Sequence, residues 1–239
     1  MRNAPAFLTA LMLALFAPAA AWAQEATTHL SATPEVLRTV ALLTALAVAP
    51  ALFISMTSFV RIAVVLSMVR HAFGMPETPP NAVLVSLAMM LTAFVMAPTF
   101  SAINANALQP MLSGDISLDA ALSRGAQPLR EFMFNHVRQE DLAAIYEISN
   151  TPAPDTPESV DIMRLTPAFI LNELRTSFTI GFVILLPFLL IELVVASILL
   201  SLGMMMVPPA TISLPIKLLM FVLIDGWALV IEGVVGSFR

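Results

Sequence analysis

Four long apolar runs constrain this chain more than any other feature of its sequence. They are Thr39–Val60, Ala82–Ile103, Phe178–Ser201 and Thr211–Val235. A helix needs about 20 predominantly apolar residues to cross the hydrocarbon core of a bilayer. Charged residues make up only 11% of the chain, whereas a soluble protein carries about 25%. The sequence therefore predicts an all-α membrane protein in which few side chains face water.

The first residues have the pattern of a secretory signal peptide. Arg2 supplies a short positive region, and Ala6–Ala17 is an apolar stretch that is too short to span a bilayer as a first anchor. Ala21-Trp22-Ala23 fits a cleavage site with small residues at both ends, so residues 1–23 are predicted to be removed. The mature chain then begins outside the cytoplasm.

Residues 36–103 are predicted to form a first apolar helical hairpin. Its turn, residues 70–81, contains one Gly and three Pro residues, a composition typical of turns. Arg61 and Arg70 flank the turn and place it on the cytoplasmic side of the membrane. Pro50 lies within the first apolar run and is expected to kink or break its helix.

Residues 176–239 are predicted to form a second apolar hairpin. Gly203 suits the end of its first helix, and Pro208 and Pro209 prevent that helix from continuing. Alternation of the spans places this turn on the cytoplasmic side as well. The polar stretch between the hairpins, residues 104–175, then faces the periplasm and is predicted to be helical, with a Pro-rich linker near its end.

The sequence lacks the patterns that support catalysis or cofactor binding. His29, His71 and His136 are far apart and have no neighbours at metal-ligand spacing, and cysteine is absent. No glycine-rich phosphate loop and no Gly-x-Ser-x-Gly motif occurs. A net charge of −5 offers no basic stripe to nucleic acid. We predict that the chain is not an enzyme and binds no cofactor, metal or nucleic acid.

Three charged residues in the second hairpin are candidate functional residues. Glu192, Lys217 and Asp225 lie in apolar runs, where a charge costs about 2.5–3.5 kcal/mol on insertion scales. Each must therefore face protein, a cavity or a partner. Lys217 is the only lysine, and Asp225 is too far along the same helix to contact it. Either Glu192 of the same chain or a carboxylate of a neighbouring subunit can pair with Lys217.

The turn of the second hairpin contains three consecutive methionines, Met204, Met205 and Met206. They can be apolar loop residues that enter lipid or pack on a neighbour. Alternatively, copies of the loop meet around an axis, and their flexible thioether side chains close a pore. A constriction lined by apolar groups blocks ions because water leaves it.

Several motifs of this chain resemble those of the FliP family in sequence, order and spacing. They are Met56-Thr57-Ser58-Phe59-Val60-Arg61-Ile62, Arg70-His71-Ala72-Phe73-Gly74, Pro79-Pro80-Asn81, Leu202–Lys217 and Phe221-Val222-Leu223-Ile224-Asp225-Gly226-Trp227. The resemblance covers about Leu42–Phe238 and is weakest in the polar middle.

The resemblance implies a pentamer that assembles with FliQ-like and FliR-like membrane subunits into the flagellar type III export gate. Unfolded rod, hook and filament proteins pass through this gate, which lies in the bacterial inner membrane at the flagellar basal body. It also implies that the apolar helices form a cone held largely above the bilayer plane. Energy then comes from other subunits and the proton-motive force, because the chain has no nucleotide motif.

The resemblance also implies roles for individual residues. Met204, Met205 and Met206 correspond to a gasket around the pore. Glu173, within Pro167–Leu174, and Lys217 correspond to a charge pair between neighbouring subunits.

Three other functions compete with this interpretation. The homologous SctR subunit of a virulence injectisome is the nearest, although the signal peptide favours the flagellar member. A small-solute transporter with a site at Glu192, Lys217 and Asp225 predicts internal pseudo-symmetry, which the sequence lacks. A purely structural scaffold predicts that the methionines do not affect ion leak.

Overall fold

The computed structural model describes residues 34–74, 77–152 and 160–238, and every regular element in these ranges is a helix. The α-helices are α1 (Pro34–Met56), α2 (Phe59–Ala72), α3 (Asn81–Val95), α4 (Ala97–Ile103), α5 (Gln109–Leu112), α6 (Leu118–His136), α7 (Gln139–Ile148), α8 (Ile162–Ser201), α9 (Pro209–Leu223) and α10 (Gly226–Gly236), with a π-helix at Asn104–Leu108 between α4 and α5. The predicted signal peptide, residues 1–23, and residues 153–157 of the predicted linker, which spans residues 151–157, lie outside the described residues. The all-α prediction is confirmed for the part described.

Residue contacts divide the chain into two units, Met1–Pro50 and Ala51–Arg239. Within the first unit, the described part of α1 exposes large apolar side chains such as Leu42 and Leu46. A helix that exposes apolar residues on all sides is typical of a segment that lipid or protein surrounds.

A kink or a break was predicted at Pro50; the helix is not broken there, because α1 continues through this residue to Met56, and the kink stays a prediction. The helix is interrupted instead at Thr57 and Ser58. The Thr57 hydroxyl donates to the carbonyl of Phe53 at 2.7 Å and accepts from the Phe59 amide at 3.4 Å. A side chain that bonds to nearby backbone in this way competes with the helical ladder.

The core of the second unit lies between α2 and α8. Ile62, Val65, Leu66 and Val69 of α2 are almost completely buried and repeat with helical spacing along one face. Gly181 of α8 faces this helix, and a β-carbon there would overlap the side chain of Met68. The two helices therefore approach closely. Helices α3 and α10 pack against α2, and α9 packs against α8.

Helix α8 is the longest element, with 40 residues. At 1.5 Å per residue it is about 60 Å long, twice the thickness of a hydrocarbon core. The carboxylate of Asp161 caps its start by accepting from the Met163 amide at 3.2 Å. The predicted domain boundary at residue 175 lies inside this helix. The first third of α8 packs against α6 and α7 of the polar middle, and the remainder of α8 is apolar except for Glu192.

The last apolar run, predicted as one helix, forms the two helices α9 and α10, which meet at an angle of 67°. Asp225 separates them and has a left-handed backbone, with φ of +50°. Gly226 follows and is buried beneath the ring of Phe221, which a β-carbon at residue 226 would overlap. The elbow therefore depends on Gly226 because no larger residue fits beneath that ring.

By length and composition, two described helices can cross a membrane, at Glu35–Met56 and Ile162–Ser201. Two bent pairs pass the same test together, Asn81–Val95 with Ala97–Leu112 and Pro209–Leu223 with Gly226–Gly236. By this test the described residues contain between two and four candidate spans. The prediction of helices long enough to span a membrane is confirmed.

Candidate functional site

A buried ion pair joins α2 to α8. Arg61 is 3% exposed and Glu173 is completely buried. The Arg61 Nε donates to Glu173 Oε2 at 3.0 Å, and Nη2 donates to Oε1. Two parallel hydrogen bonds of this kind are the strongest arrangement for an arginine and a carboxylate. Neither charge could remain buried without the other, because an unpaired buried charge is strongly destabilising.

The same guanidinium also holds the end of the described chain. Its Nη1 donates to the backbone carbonyl and to the hydroxyl of Ser237, both at 2.9 Å. Its Cζ lies 3.8 Å from the ring centroid of Phe238, within the range of a cation–π interaction. We call Arg61, Glu173, Ser237 and Phe238 the buried node.

His136 of α6 lies beside the buried node. Its ring nitrogens are 2.7 Å from the carbonyl of Phe132 and 3.3 Å from the carbonyl of Phe238. Asn172 donates from its side chain to the His136 carbonyl. His136 therefore links the polar middle to the node. Among the described residues, no group of three His, Cys, Asp or Glu side chains could hold a metal ion.

A second ion pair lies farther along α8. Lys217 of α9 donates from Nζ to Glu192 Oε2 at 2.6 Å, and the two side chains are 5% and 41% exposed. Of the partners that the sequence left open for Lys217, Glu192 is the one beside it within the chain. The structure does not bring Glu173 and Lys217 together within the chain: Glu173 pairs with Arg61, and Lys217 lies beside Glu192, which is 19 residues farther along α8. A pair between subunits is not tested by contacts within one chain and stays a prediction.

Asp225 has no ionic partner among the described residues. Its side chain makes no capping hydrogen bond to α10, although it occupies the N-cap position, and it is exposed. Aspartate is one of the few residues other than glycine that adopt a left-handed backbone routinely.

The loop between α8 and α9 contains the three methionines. Gly203, with φ of +74°, follows the end of α8, and its amide donates to the carbonyl of Leu200 at 3.0 Å. The Met204 amide donates to the carbonyl of Leu199 at 2.9 Å. These two bonds form a Schellman motif, in which glycine is favoured. Pro208 and Pro209 then begin α9, where Pro is favoured because the first helical amides need no partner.

The methionines themselves are exposed to different degrees. Met204 is 45% exposed, Met205 81% and Met206 94%. We call residues 203–208 the methionine loop. Apolar side chains this exposed are stabilised only by contact with lipid or another protein surface.

The pairing of Arg61 with Glu173, and the contacts of Arg61 with Ser237 and Phe238, were not predicted. In the sequence Arg61 indicates the cytoplasmic side and belongs to a family motif. One signal was available, since Arg61 interrupts an otherwise apolar stretch and such a charge requires a partner.

Comparison with known proteins identifies the family. The model of the FliP family matches residues 42–234. The flagellar biosynthetic protein FliP of Bacillus subtilis is 49% identical over 197 residues, which cover 82% of this chain and 89% of that protein. The protein of the same name from Pectobacterium carotovorum is 49% identical over 202 residues, or 84% of this chain and 78% of the relative. The one from Caulobacter vibrioides is 47% identical over 227 residues, or 93% and 85%. The resemblance seen in the motifs is thus confirmed, and the chain belongs to the FliP family.

Proposed function

We propose that this chain is a subunit of the flagellar type III protein-export gate. It forms part of the conduit, and its methionine loop forms the gasket, through which unfolded flagellar proteins cross the inner membrane. One observation carries the proposal: this chain of the FliP family presents Met206, the most exposed of its described methionines, in the loop that joins the apolar helices α8 and α9.

The gate requires several chains, and the apolar surface of the second unit supports this. Exposed side chains along α8 and α9 include Phe178, Leu193, Leu219 and Val222. Water disfavours such a surface, so other subunits or lipid must cover it. We propose that α2 with α3 and α8 with α9 act as two hairpins, and that five copies form a cone with FliQ-like and FliR-like subunits. The polar middle, residues 104–175, faces the periplasm.

The gasket follows from the chemistry of methionine. Three rotatable bonds and a polarisable sulfur allow the side chain to fit irregular shapes. Copies of Met205 and Met206 that meet around an axis would close a pore, deform around a passing unfolded chain and close again. Because the ring is apolar, it would also exclude water and ions from a closed pore.

The proposal retains the charge pair between Glu173 and Lys217 of neighbouring subunits that the resemblance implies. Glu173 is completely buried beside Arg61, and Lys217 is paired with Glu192. Pairing between subunits therefore requires that assembly expose Glu173 and move Lys217 away from Glu192. We expect Glu173 and Lys217 to exchange partners only in the assembled gate, and not in the single chain.

The central experiment replaces Met204, Met205 and Met206 with alanine in a strain that lacks the native gene. We expect increased ion leak across the inner membrane, measured as loss of membrane potential, because the smaller side chains leave an open pore. The control replaces Met89 and Met90 of α3, which are also exposed, and should leave the leak unchanged. Equal leak in the two variants would contradict the gasket.

The injectisome subunit SctR remains the nearest alternative. The relatives compared above bear the name flagellar biosynthetic protein, which supports a flagellar role. Deletion of the gene should abolish motility and leave the secretion of virulence effectors intact. The reverse phenotype would favour the injectisome. A small-solute transporter would instead need a functional monomer or dimer, which native mass spectrometry of the purified particle would detect.

A further inference from the structure

The two residues after α10 lie across the buried node and hold its arginine. Ser237 accepts two hydrogen bonds from Arg61 Nη1, one at its carbonyl and one at its hydroxyl, both at 2.9 Å. Arg61 Cζ lies 3.8 Å from the centroid of the Phe238 ring. Among the described residues, the hydrogen bonds of the Arg61 side chain go only to Glu173 and Ser237. We call Ser237 and Phe238 the strap.

Helix α6 holds the other side of the strap. His136 Nε2 is 3.3 Å from the Phe238 carbonyl, and the rings of Phe132 and Phe238 stack with 6.3 Å between their centroids. A ring that contacts both a cation and another ring is stabilised by each of them. The strap therefore connects Arg61 of α2 to α6 of the polar middle, and it contributes to the burial of the Arg61 side chain, which is 3% exposed.

The strap can open without unfolding of the core. Its two backbone amides make one turn hydrogen bond each, to the carbonyls of Val234 at 3.3 Å and Val235 at 3.2 Å. Gly236, just before the strap, is exposed, and a β-carbon there would meet open space. Glycine adopts many backbone conformations, so rotation at Gly236 can move the strap while Val234 stays buried. Both residues of the strap are partly exposed, which is typical of segments that open locally at low free energy.

The closed strap prevents the pair between subunits. Glu173 is completely buried, and both of its carboxylate oxygens accept from Arg61. Lys217 of a neighbouring copy can reach Glu173 only if Arg61 turns aside. While the strap is closed, Arg61 is held at Nη1 and at its guanidinium carbon, so it cannot turn. Opening of the strap removes these contacts and leaves Arg61 bound by Glu173 alone.

We propose that the strap is an autoinhibitory contact that keeps the node closed in the single chain. It opens when a second copy of this chain docks, and Lys217 of that copy then reaches Glu173. The inference rests on the proposed function, because it concerns the pair between subunits of the assembled gate. It accounts for how a carboxylate that is completely buried in one chain becomes available to another.

The first test follows the position of Phe238 in single and assembled chains. A photoreactive phenylalanine analogue, which keeps an aromatic ring, replaces Phe238 in the chain expressed with its neighbouring genes in a deletion strain. The cells are irradiated, single chains and assembled particles are separated by size, and mass spectrometry identifies the cross-linked peptides. We expect single chains to be cross-linked to α6 near Phe132 and His136. Assembled particles should yield about tenfold less of this product, because most of their straps are open.

Two outcomes of this test would overturn the proposal. An equal yield of the α6 product in both fractions would mean that the strap stays closed in the assembly. Absence of the α6 product from single chains would mean that the strap does not hold the node closed before assembly.

Variants of the strap test its inhibitory role. Phe238→Ala should raise the assembled fraction about threefold at limiting amounts of chain, because the open state is more populated before assembly. Ser237→Ala removes one of the two acceptors of Arg61 and should have a smaller effect in the same direction. Phe238→Tyr keeps the aromatic ring, and Leu229→Ala changes an exposed position of α10, so both should assemble like the unmodified chain. Native mass spectrometry measures the assembled fraction.

The sign of the effect separates inhibition from a purely structural role. If the strap only stabilises the fold, Phe238→Ala lowers both the thermal stability and the assembled fraction, and the proposal is wrong. If Phe238→Ala leaves too little folded chain to measure, Ser237→Ala decides in the same way.

Motility separates this proposal from the proposed function. If the unmodified chain fails to restore motility to a deletion strain, the export role is wrong. If motility is restored and carbodiimide joins Lys217 to Glu173 in the particle while Phe238 stays beside α6, only the strap is wrong.

Discussion

Each end of the apolar part of α8 carries an ion pair, and the two pairs differ in how deeply they are buried. At the buried node, Arg61 and Glu173 are enclosed by their own chain, and Ser237 and Phe238 complete their contacts. Near the methionine loop, the pair of Glu192 and Lys217 is left partly exposed. In the single chain the node is enclosed, whereas the loop end presents surfaces that other molecules must cover.

This difference predicts which contacts stabilise the single chain most strongly. Removing a group from the node leaves a partner buried without compensation, which destabilises the chain itself. Near the loop Glu192 is 41% exposed and Lys217 only 5%, so removing Glu192 should cost less than breaking the node but more than breaking a fully exposed pair. The four predictions below test this gradient.

The largest effect is expected at the buried node. Arg61→Leu or Glu173→Leu should each lower the free energy of unfolding by about 3–5 kcal/mol, because each leaves one buried charge unpaired. The double variant should be more stable than either single variant, since it buries no charge. Thermal unfolding in detergent, with steady-state protein levels, measures all three.

The exposed pair of Arg138 and Glu140 in the polar middle provides the control for the node. Arg138→Ala should change the free energy of unfolding by about 0.2–1 kcal/mol, as is usual for surface pairs. A node variant as mild as this control would contradict the view that Arg61 and Glu173 serve the fold.

A smaller effect is expected at the elbow between α9 and α10. Gly226→Ala should lower the free energy of unfolding by about 1–3 kcal/mol, because the added methyl group overlaps the Phe221 ring. Gly233→Ala, in the same helix but facing open space, should be neutral or stabilising by up to about 1 kcal/mol. Thermal unfolding of both variants separates close packing from helix propensity. Equal destabilisation would show that the Phe221 contact is not the cause.

A weaker effect is expected at the second pair. Glu192→Gln should lower the free energy of unfolding by about 1–2 kcal/mol, because it leaves the Lys217 ammonium, which is 5% exposed, without its counter-charge, while the amide at the 41% exposed position can still accept a hydrogen bond. Carbodiimide, which couples amines to carboxylates without a spacer, also reports the partner of Lys217, the only lysine in the chain. The single chain should yield a cross-link from Lys217 to Glu192, and Lys217→Arg should abolish it. A cross-link to Glu173 that appears only in the assembled particle would support the pair between subunits.

The smallest effect on stability is expected in the methionine loop. Met205→Ala and Met206→Ala should change the free energy of unfolding by less than about 0.5 kcal/mol, as is usual for exposed positions. Unfolding of the single chain in detergent measures this. A large loss of stability would mean that the loop supports the fold, and any leak in the triple variant would then have a second explanation.

Features that depend on local chemistry were predictable from the sequence. Gly203, Pro208 and Pro209 mark the turn between α8 and α9 because glycine ends helices and proline begins them. The apolar runs predicted the helices because their length and composition leave few alternatives. The position of the break near Thr57 was not predicted, since proline is a stronger signal than a side-chain hydrogen bond.

Features that depend on distant residues were not predictable. Arg61 and Glu173 are 112 positions apart, and no spacing rule links them. The elbow at Asp225 was not predicted, because a residue with a left-handed backbone is usually a glycine. Here the left-handed residue is Asp225, and the glycine is the next residue. Several partners for Lys217 were possible from the sequence. None could be selected, because the choice depends on how α8 packs against α9.

The position of the buried node on α8 gives that helix the mechanics of a lever. The node fixes α8 at Glu173, while the helix continues to Ser201, about 42 Å farther at 1.5 Å per residue. Gly181 and Phe188 of this arm also pack into the core beside α2, so α2 must turn with α8; a common rotation of about 4° at the node displaces the far end by about 3 Å, close to the rise of two helical residues. Small angular changes where α2, α6 and α8 meet would thus become ångström-scale movements of the methionines.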